Sequence, residues 1–342
     1  MSGYMGKLHS LTLLMVLLFC STLLLGQEKS GKKNLVERFF DRLAISKADS
    51  TYAVRNLYRF VVKPKLGTSF GFINFRWKEE ETKRNYDIRS EPIWKVGMNI
   101  GYRNLSVGFQ SNVSRIFGGS KSEDSEYAAS LYGVMLGGDF SYNVSSRYTI
   151  VNRDEHEWGE EVEYVQTKRL QANGYYVFNH RHFSYPAVFT QSYRQKKSCG
   201  SFIAGLSLNF EILEFDETKL FQEFADRLGE NDYVKKINYG SYNLNVGYAY
   251  NWVLGKHWLL HGSLIPSFSL YEKSNMEFVD RTERLKVNKF NVGCIVRIGV
   301  LWDSLRHFGG FTAVMNVNSL GYSPVNITDF YVRTRMFYGF RF

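Results

Sequence analysis

The run from Tyr242 to Trp252 constrains this chain more than any other feature. Tyr242, Leu244, Val246, Tyr248, Tyr250 and Trp252 fall on one face of an extended strand, and Asn243, Asn245, Gly247, Ala249 and Asn251 fall on the other. Strict period-two alternation over about ten residues is what a tilted strand needs to cross a bilayer. The pattern recurs. Trp94, Val96, Met98, Ile100 and Tyr102 oppose Lys95, Gly97, Asn99, Gly101 and Arg103; Phe202, Ala204, Leu206, Leu208 and Phe210 oppose Ile203, Gly205, Ser207 and Asn209; and Phe290, Val292, Cys294, Val296, Ile298, Val300 and Trp302 oppose a face holding Asn291, Gly293 and Arg297. These strands are longer than the ~5–6 residues usual in soluble sandwiches. Their polar faces hold Gly, Ala, Ser and Asn among the charges, as a crowded lumen requires. Beyond Ser30 no stretch approaches the ~20 apolar residues of a membrane helix. The expected fold is all-β, an antiparallel up-and-down transmembrane barrel.

The N-terminus carries Lys7 and His9, then the apolar run Leu11 to Phe19, and closes on Leu23-Leu24-Leu25-Gly26 before polar Gln27. A basic start, a short apolar core and a small residue before a polar one make a secretory signal peptide, with cleavage expected between Gly26 and Gln27. Phe19 before Cys20 argues against a lipoprotein signal. The expected organisation is signal peptide 1–26, a periplasmic or barrel-mouth segment 27–66, and a barrel 67–342 in the outer membrane. Leu35, Val36, Phe39, Phe40 and Leu43 have helical spacing, as have Leu220, Phe221, Phe224 and Leu228 in the stretch Phe215 to Lys235.

Three turns look alike: Phe178 to Phe183 with His180 and His182, Trp252 to Trp258 with His257, and Trp302 to Phe308 with His307. Each sets basic residues and a histidine between flanking aromatics. That is a membrane rim, with rings at headgroup level and cations reaching phosphates. Flanking Arg and Lys oppose a metal ion there, and no metal or cofactor is expected. Long polar stretches alternate with these short turns, giving about twelve strands, or ten to fourteen, with the short turns in the periplasm. They are expected near 67–77, 92–102, 105–113, 125–132, 137–150, 166–178, within 182–213, 240–253, 257–271, 289–302, 307–318 and 328–342. Across 182–213 the apolar phase switches from odd (Phe183, Tyr185, Ala187, Phe189) to even (Phe202, Ala204, Leu206, Leu208). One strand broken by a bulge is expected there.

By parity, the lumen candidates are Lys95, Asp139, Arg297, Arg333, Arg335 and Arg341. They form either a salt-bridged filling or a cationic interior that favours anions. The binding candidates are Gln191, Gln195, Lys196, Lys197 and Ser198, in the phase-break segment, where polar groups belong in the lumen or in water. The formal net charge of +10 is scattered over strands, without a nucleic-acid-binding motif, so no nucleic-acid partner is expected. The expected partners are outer-membrane lipid and lipopolysaccharide. The acidic run Asp154 to Glu161 reads first as a solvated charge run and second as a holder of divalent cations that bridge lipopolysaccharide. The final strand, with Phe330, Val332, Thr334, Met336, Tyr338, Phe340 and Phe342 facing lipid, resembles the signal read by the barrel-assembly machinery. A narrow pore, a small transporter or a scaffold is expected, with ligand unknown. The competing classes are a surface-binding barrel and a lipid-modifying, acyl hydrolase-like barrel, for which His261 with Ser263, Ser184 or Ser198 are the raw material. No spacing marks a nucleophile, so no catalytic residue is assigned. Cys199 and Cys294 are expected to be unpaired, small buried or lipid-facing side chains.

Several stretches resemble a family of uncharacterised outer-membrane barrels from gut-type Gram-negative bacteria that carries only a domain-of-unknown-function label. They are Ala172 to Asn179, Phe183-Ser184-Tyr185, Gln195 to Phe202, Gly247 to Val253, Leu131-Tyr132-Gly133 with Gly138-Asp139-Phe140, and the ending Tyr338 to Phe342. The likeness runs from about Ser90 to the end. It implies a fold and a location, and no reaction.

Overall fold

The computed structural model describes residues 48–342 apart from 80–81, 91, 117–123, 147, 153–160, 163–164, 216–233, 279–280, 288–290 and 324. The expected signal peptide, the helical spacing at Leu35 to Leu43, most of the acidic run and most of the stretch 215–235 lie outside the described residues.

Twelve antiparallel strands close a barrel. They are β1 Phe60–Glu79, β2 Ile93–Tyr102, β3 Leu105–Asn112, β4 Ser125–Tyr132, β5 Leu136–Ser145 and β6 Val165–Val177. Then come β7 Cys199–Phe215, β8 Val234–Leu254, β9 Trp258–Phe278, β10 Val292–Ser304, β11 His307–Ser323 and β12 Val325–Arg341. Each strand pairs with the next, and β12 meets β1 from Val325↔Trp77 to Arg341↔Val61. Closure leaves no strand edge to hydrocarbon, where an unpaired backbone group is costly. The first strand begins at Phe60, earlier than the expected start near Gly67, because Lys63, Pro64 and Lys65 mask its alternation: both lysines point inward.

The membrane-facing band is the predicted apolar face. Trp94, Met98, Phe202, Leu206, Tyr248, Ile298 and Met336 project outward and are exposed. Cys294 shares this outward parity and Cys199 the inward one, and both are free thiols.

Toward the long-loop end the polarity inverts. Ile237, Tyr239, Met276, Phe278, Leu320 and Ile327 turn inward with Ile73, Ile88 and Leu213 to form an apolar core inside the barrel, while Lys273 and Glu277 are exposed outside. A register shift at Tyr242/Asn243 against Ser269–Tyr271 switches the phase of β9, so that Leu270 and Tyr271 are both exposed. Above the short β3–β4 hairpin the wall continues through Thr82–Ser90, which pairs with Tyr148–Asn152.

The short-turn rim gathers both ends of the barrel sequence: Phe60 N–H donates to the Phe342 carbonyl (2.9 Å). The turns at His257 and Asp303 are tied by Asp303 N–H to the His257 carbonyl (2.8 Å). Short turns face the periplasm in such barrels. In a Cys199→Ser/Cys294→Ser background, cysteines at positions 182, 257 and 307 are therefore expected to resist an impermeant maleimide in intact cells. All three should label once the outer membrane is permeabilised; labelling of one alone in intact cells sinks a shared rim.

The broken strand expected within 182–213 is corrected. Only Cys199–Phe215 is wall; the preceding residues leave it and fold back into the lumen. There Pro186–Phe189 makes one helical turn, Gln191 adopts a positive φ of 55°, and Tyr193–Gln195 pairs with Ala53–Arg55 in a two-stranded sheet. The phase switch marks an insertion rather than a bulge.

Candidate functional site

The lumen is filled in layers, beginning with the inserted segment at the short-turn end. Phe183, Tyr185, Ala187 and Val188 are buried there against inward apolar positions of the wall, among them Ile203, Leu259, Ile265, Leu301 and Phe308. Burying a Phe or Val side chain contributes roughly 1.5–3 kcal/mol, so the segment is held mainly by packing. Its polar groups are met one by one. Gln195 Oε1 accepts from Ser184 N–H (2.8 Å) and Asn251 Nδ2 (3.3 Å), and Gln195 Nε2 donates to the His182 carbonyl (2.7 Å) and the Lys197 carbonyl (3.0 Å). Asn251 Nδ2 also donates to the Ser184 carbonyl (3.0 Å). Lys63 Nζ donates to Gln191 Oε1 (2.8 Å), and Asn56 Nδ2 to the Gln191 carbonyl (2.6 Å). Below the segment, Asp49 N–H donates to the Arg181 carbonyl (2.7 Å). The Thr51 N–H bonded to Asp49 Oδ1 (2.8 Å), with His182 3.7 Å away, holds the Asp49 carboxyl below its usual range.

Above the segment lies a belt of charge. Arg297 Nη1 donates to Asp139 Oδ2 (2.9 Å) and to the Tyr132 hydroxyl (3.2 Å), and Arg297 Nη2 to the Tyr175 hydroxyl. Asp139 also accepts from Tyr132 (2.5 Å) and Asn173 (2.7 Å). Arg335 donates to Glu126, and Arg333 stands 3.8 Å from the same carboxylate. Farther toward the long-loop end, Arg169 binds Glu211 through two nitrogens (2.7 Å each) and Asp329 (2.7 Å) over the Tyr331 ring. At the short-turn end Arg341 grips Asp303 at 2.8 and 3.0 Å.

All six lumen candidates read from parity project inward. Lys95 donates to Ser69 Oγ (3.1 Å), Asp139 pairs with Arg297, Arg333 and Arg335 share Glu126, and Arg341 binds Asp303. The five binding candidates are separated. Gln191 and Gln195 are buried inside the mouth, whereas Lys196, Lys197 and Ser198 are exposed at the rim. There Lys196 Nζ donates to the Ser50 carbonyl (3.0 Å), Lys197 lies over the Tyr52 ring, and Ser198 Oγ accepts Val253 N–H (2.9 Å). Sequence reasoning missed Lys63, Lys65, Glu126 and Asn251. The signal for the two lysines was present, since residues two apart share a strand face.

His261 Nδ1 lies 2.8 Å from Asn251 Oδ1, with its ring against Tyr185 and Phe189. Among the described residues His261 Nε2 is buried without a hydrogen-bond partner, and neither the Ser263 nor the Ser184 hydroxyl bonds to it. Among the described residues the hydroxyl–imidazole contact of a nucleophilic pair is therefore not assembled.

A closed antiparallel barrel with an apolar outer belt and a charged, filled lumen defines an outer-membrane β-barrel protein. The chain belongs to a family described as a domain of unknown function (DUF4421), whose model matches residues 47–342. No curated protein matches it. Similar solved structures include the outer-membrane protease OmpT from Escherichia coli, at TM-score 0.39 and 12% identity over 83% of this chain and 97% of that one. The translocator domain of the autotransporter NalP from Neisseria meningitidis aligns at TM-score 0.36 and 10% identity, over 84% and 90% of the two chains. An outer-membrane channel from Pseudomonas putida F1 aligns at TM-score 0.33 and 11% identity, over 84% and 97%.

Proposed function

We propose that this protein is a small transporter: a barrel closed at rest by residues 183–195, which admits a small solute when that segment withdraws toward the periplasm. One observation carries the reading. The strands that flank the segment pair directly with each other, from Val165↔Phe215 to Val177↔Ile203. The wall is thus complete without the inserted residues, which enter and leave the lumen at one rim. A scaffold has no need of a stopper that is separable from its wall. Barrel diameter grows with strand number, and eight strands already leave an interior that side chains alone fill. Twelve strands leave room that here is occupied by the segment.

The test replaces 180–197 with a short Gly/Ser turn and reconstitutes the protein in a planar bilayer. The expected result is a folded barrel with steady conductance, against rare brief openings for the unaltered chain. A variant that folds but stays non-conducting removes the transport reading, and so does an unaltered chain that conducts continuously.

A further inference from the structure

Between the inserted segment and the Arg169–Glu211–Asp329 layer lies a cavity of about 90 Å³. Its charge does not balance. Lys63, Lys65, Arg297, Arg333 and Arg335 line it against the single lining carboxylate of Asp139. Asp139 is committed to Arg297 at 2.9 Å, and Glu126, beside the cavity, is shared between Arg335 and Arg333. Among the described residues Lys63 bonds only uncharged acceptors, Gln191 Oε1 and the Phe189 carbonyl (3.4 Å). Lys65 is 5% exposed and, among the described residues, has neither a hydrogen-bond acceptor nor a carboxylate. Among the described residues the Nε groups of Arg333 and Arg335 are buried without partners. Buried cations without counter-charges are strongly unfavourable, and here several converge on one cavity.

We infer that this cavity is a binding site for a small polyvalent oxyanion of the phosphate or sulfate class, with Lys65 as its principal anchor beside Lys63, Arg333 and Arg335. A cavity of this size has room for a small cluster of waters, or for one tetrahedral oxyanion in their place. Guanidinium groups offer planar paired donors that match oxyanion geometry, and a monovalent halide leaves most of the excess charge unanswered. The layers above and below exclude a chain molecule. Phe189 and Gln191 form part of the floor, so the site rests on the closed-lumen reading to that extent.

The experiment uses the full protein folded in detergent micelles. Thermal midpoints are compared in potassium phosphate, potassium sulfate and potassium chloride at matched ionic strength, and phosphate binding is titrated calorimetrically. Phosphate and sulfate are expected to raise the midpoint above that in chloride, with one site per barrel. Lys65→Met should weaken phosphate binding at least ten-fold and, in chloride alone, melt higher than the unaltered chain. Lys256→Met, at an exposed turn, should bind as the unaltered chain does. If Lys65→Met does not fold, Arg333→Gln reads the same loss. Equal midpoints in phosphate and chloride overturn the site, as does a phosphate response that survives Lys65→Met or, in its place, Arg333→Gln. Conductance of the segment-deleted barrel is read separately. Oxyanion binding without that conductance fells the transport reading alone, and conductance without oxyanion binding fells the site alone.

Discussion

Gly299→Leu is expected to convert the closed barrel into a conducting one. Gly299 lies on the lumen face of β10, opposite the helical turn Pro186–Phe189. A Cβ at this position would stand 2.5 Å from Val188 Cγ1, 3.5 Å from His261 Cβ and 3.7 Å from Thr312 Cγ2. The first distance is shorter than any carbon–carbon contact tolerates, and Val188, 1% exposed, has no free side to yield toward. Overpacking of this kind costs about 1–3 kcal/mol, and a leucine brings three more carbons into the same space. The wall at Gly299 is fixed by its pairing with Thr312 and His261, so the strain falls on the inserted segment. The measurement is single-channel recording, with limited proteolysis of 183–195 as a second readout. Gly299→Ala/Val188→Ala is the control: the added methyl takes the space that Val188 Cγ1 vacates, and this barrel should stay closed. A Gly299→Leu barrel that stays silent and protease-resistant would show that the segment is not the element that gives way.

The wall was legible in the sequence because lipid and lumen impose opposite demands on alternate residues. From Tyr242 to Trp252 no residue violates the rule, and the strand lies where the pattern put it. Legibility ends where the solvent changes. Beyond Tyr271 on β9 the inward residues run from Glu272 and Ser274 to Met276 and Phe278, and Lys273 and Glu277 are exposed outside, so toward the strand end the polarity of a membrane barrel is exchanged for that of a soluble one. A strand that reverses its polarity, with a phase shift at the junction, reads as a strand that has ended. The lumen was half legible. Parity placed Arg297, Asp139, Arg333 and Arg335 inside, because an inward charge stands out against Gly and Asn. Which acid meets which base was not readable, since Arg335 and Glu126 are far apart in sequence and meet only across the lumen. The phase break at 191–201 pointed to an unusual segment, but alternation cannot say whether a segment that leaves the wall goes into water or into the barrel. Burial of Phe183, Tyr185 and Val188 decides that, and their partners lie on strands distant in sequence.

Arg169→Met is expected to be the most destabilising single change in the lumen. Among the described residues Arg169 is the one cation paired with both Glu211 and Asp329, and these carboxylates are 3% and 2% exposed. Its three hydrogen bonds, at 2.7 Å each, join β6 to β7 and reach across the barrel to β12. Its stacking on Tyr331, 4.0 Å to the ring centroid, fixes the guanidinium plane. Methionine keeps most of the volume and none of the charge. Two buried carboxylates would then face each other without a cation. Removing one partner of a buried pair costs about 3–5 kcal/mol, and stranding two acids places the expected loss at or above the top of that range. Urea unfolding of the micelle-folded protein, followed by tryptophan fluorescence, reads the loss as a lower midpoint. The same cause predicts its own cure. Glu211→Gln and Asp329→Asn, added to Arg169→Met, keep the shapes and remove the stranded charges, and an uncompensated buried charge is what makes breaking such a pair costly. The triple variant should therefore recover most of the midpoint lost by the single one. If it unfolds as early as Arg169→Met alone, the penalty comes from lost packing over Tyr331 rather than from uncompensated charge, and the electrostatic account of this layer is wrong.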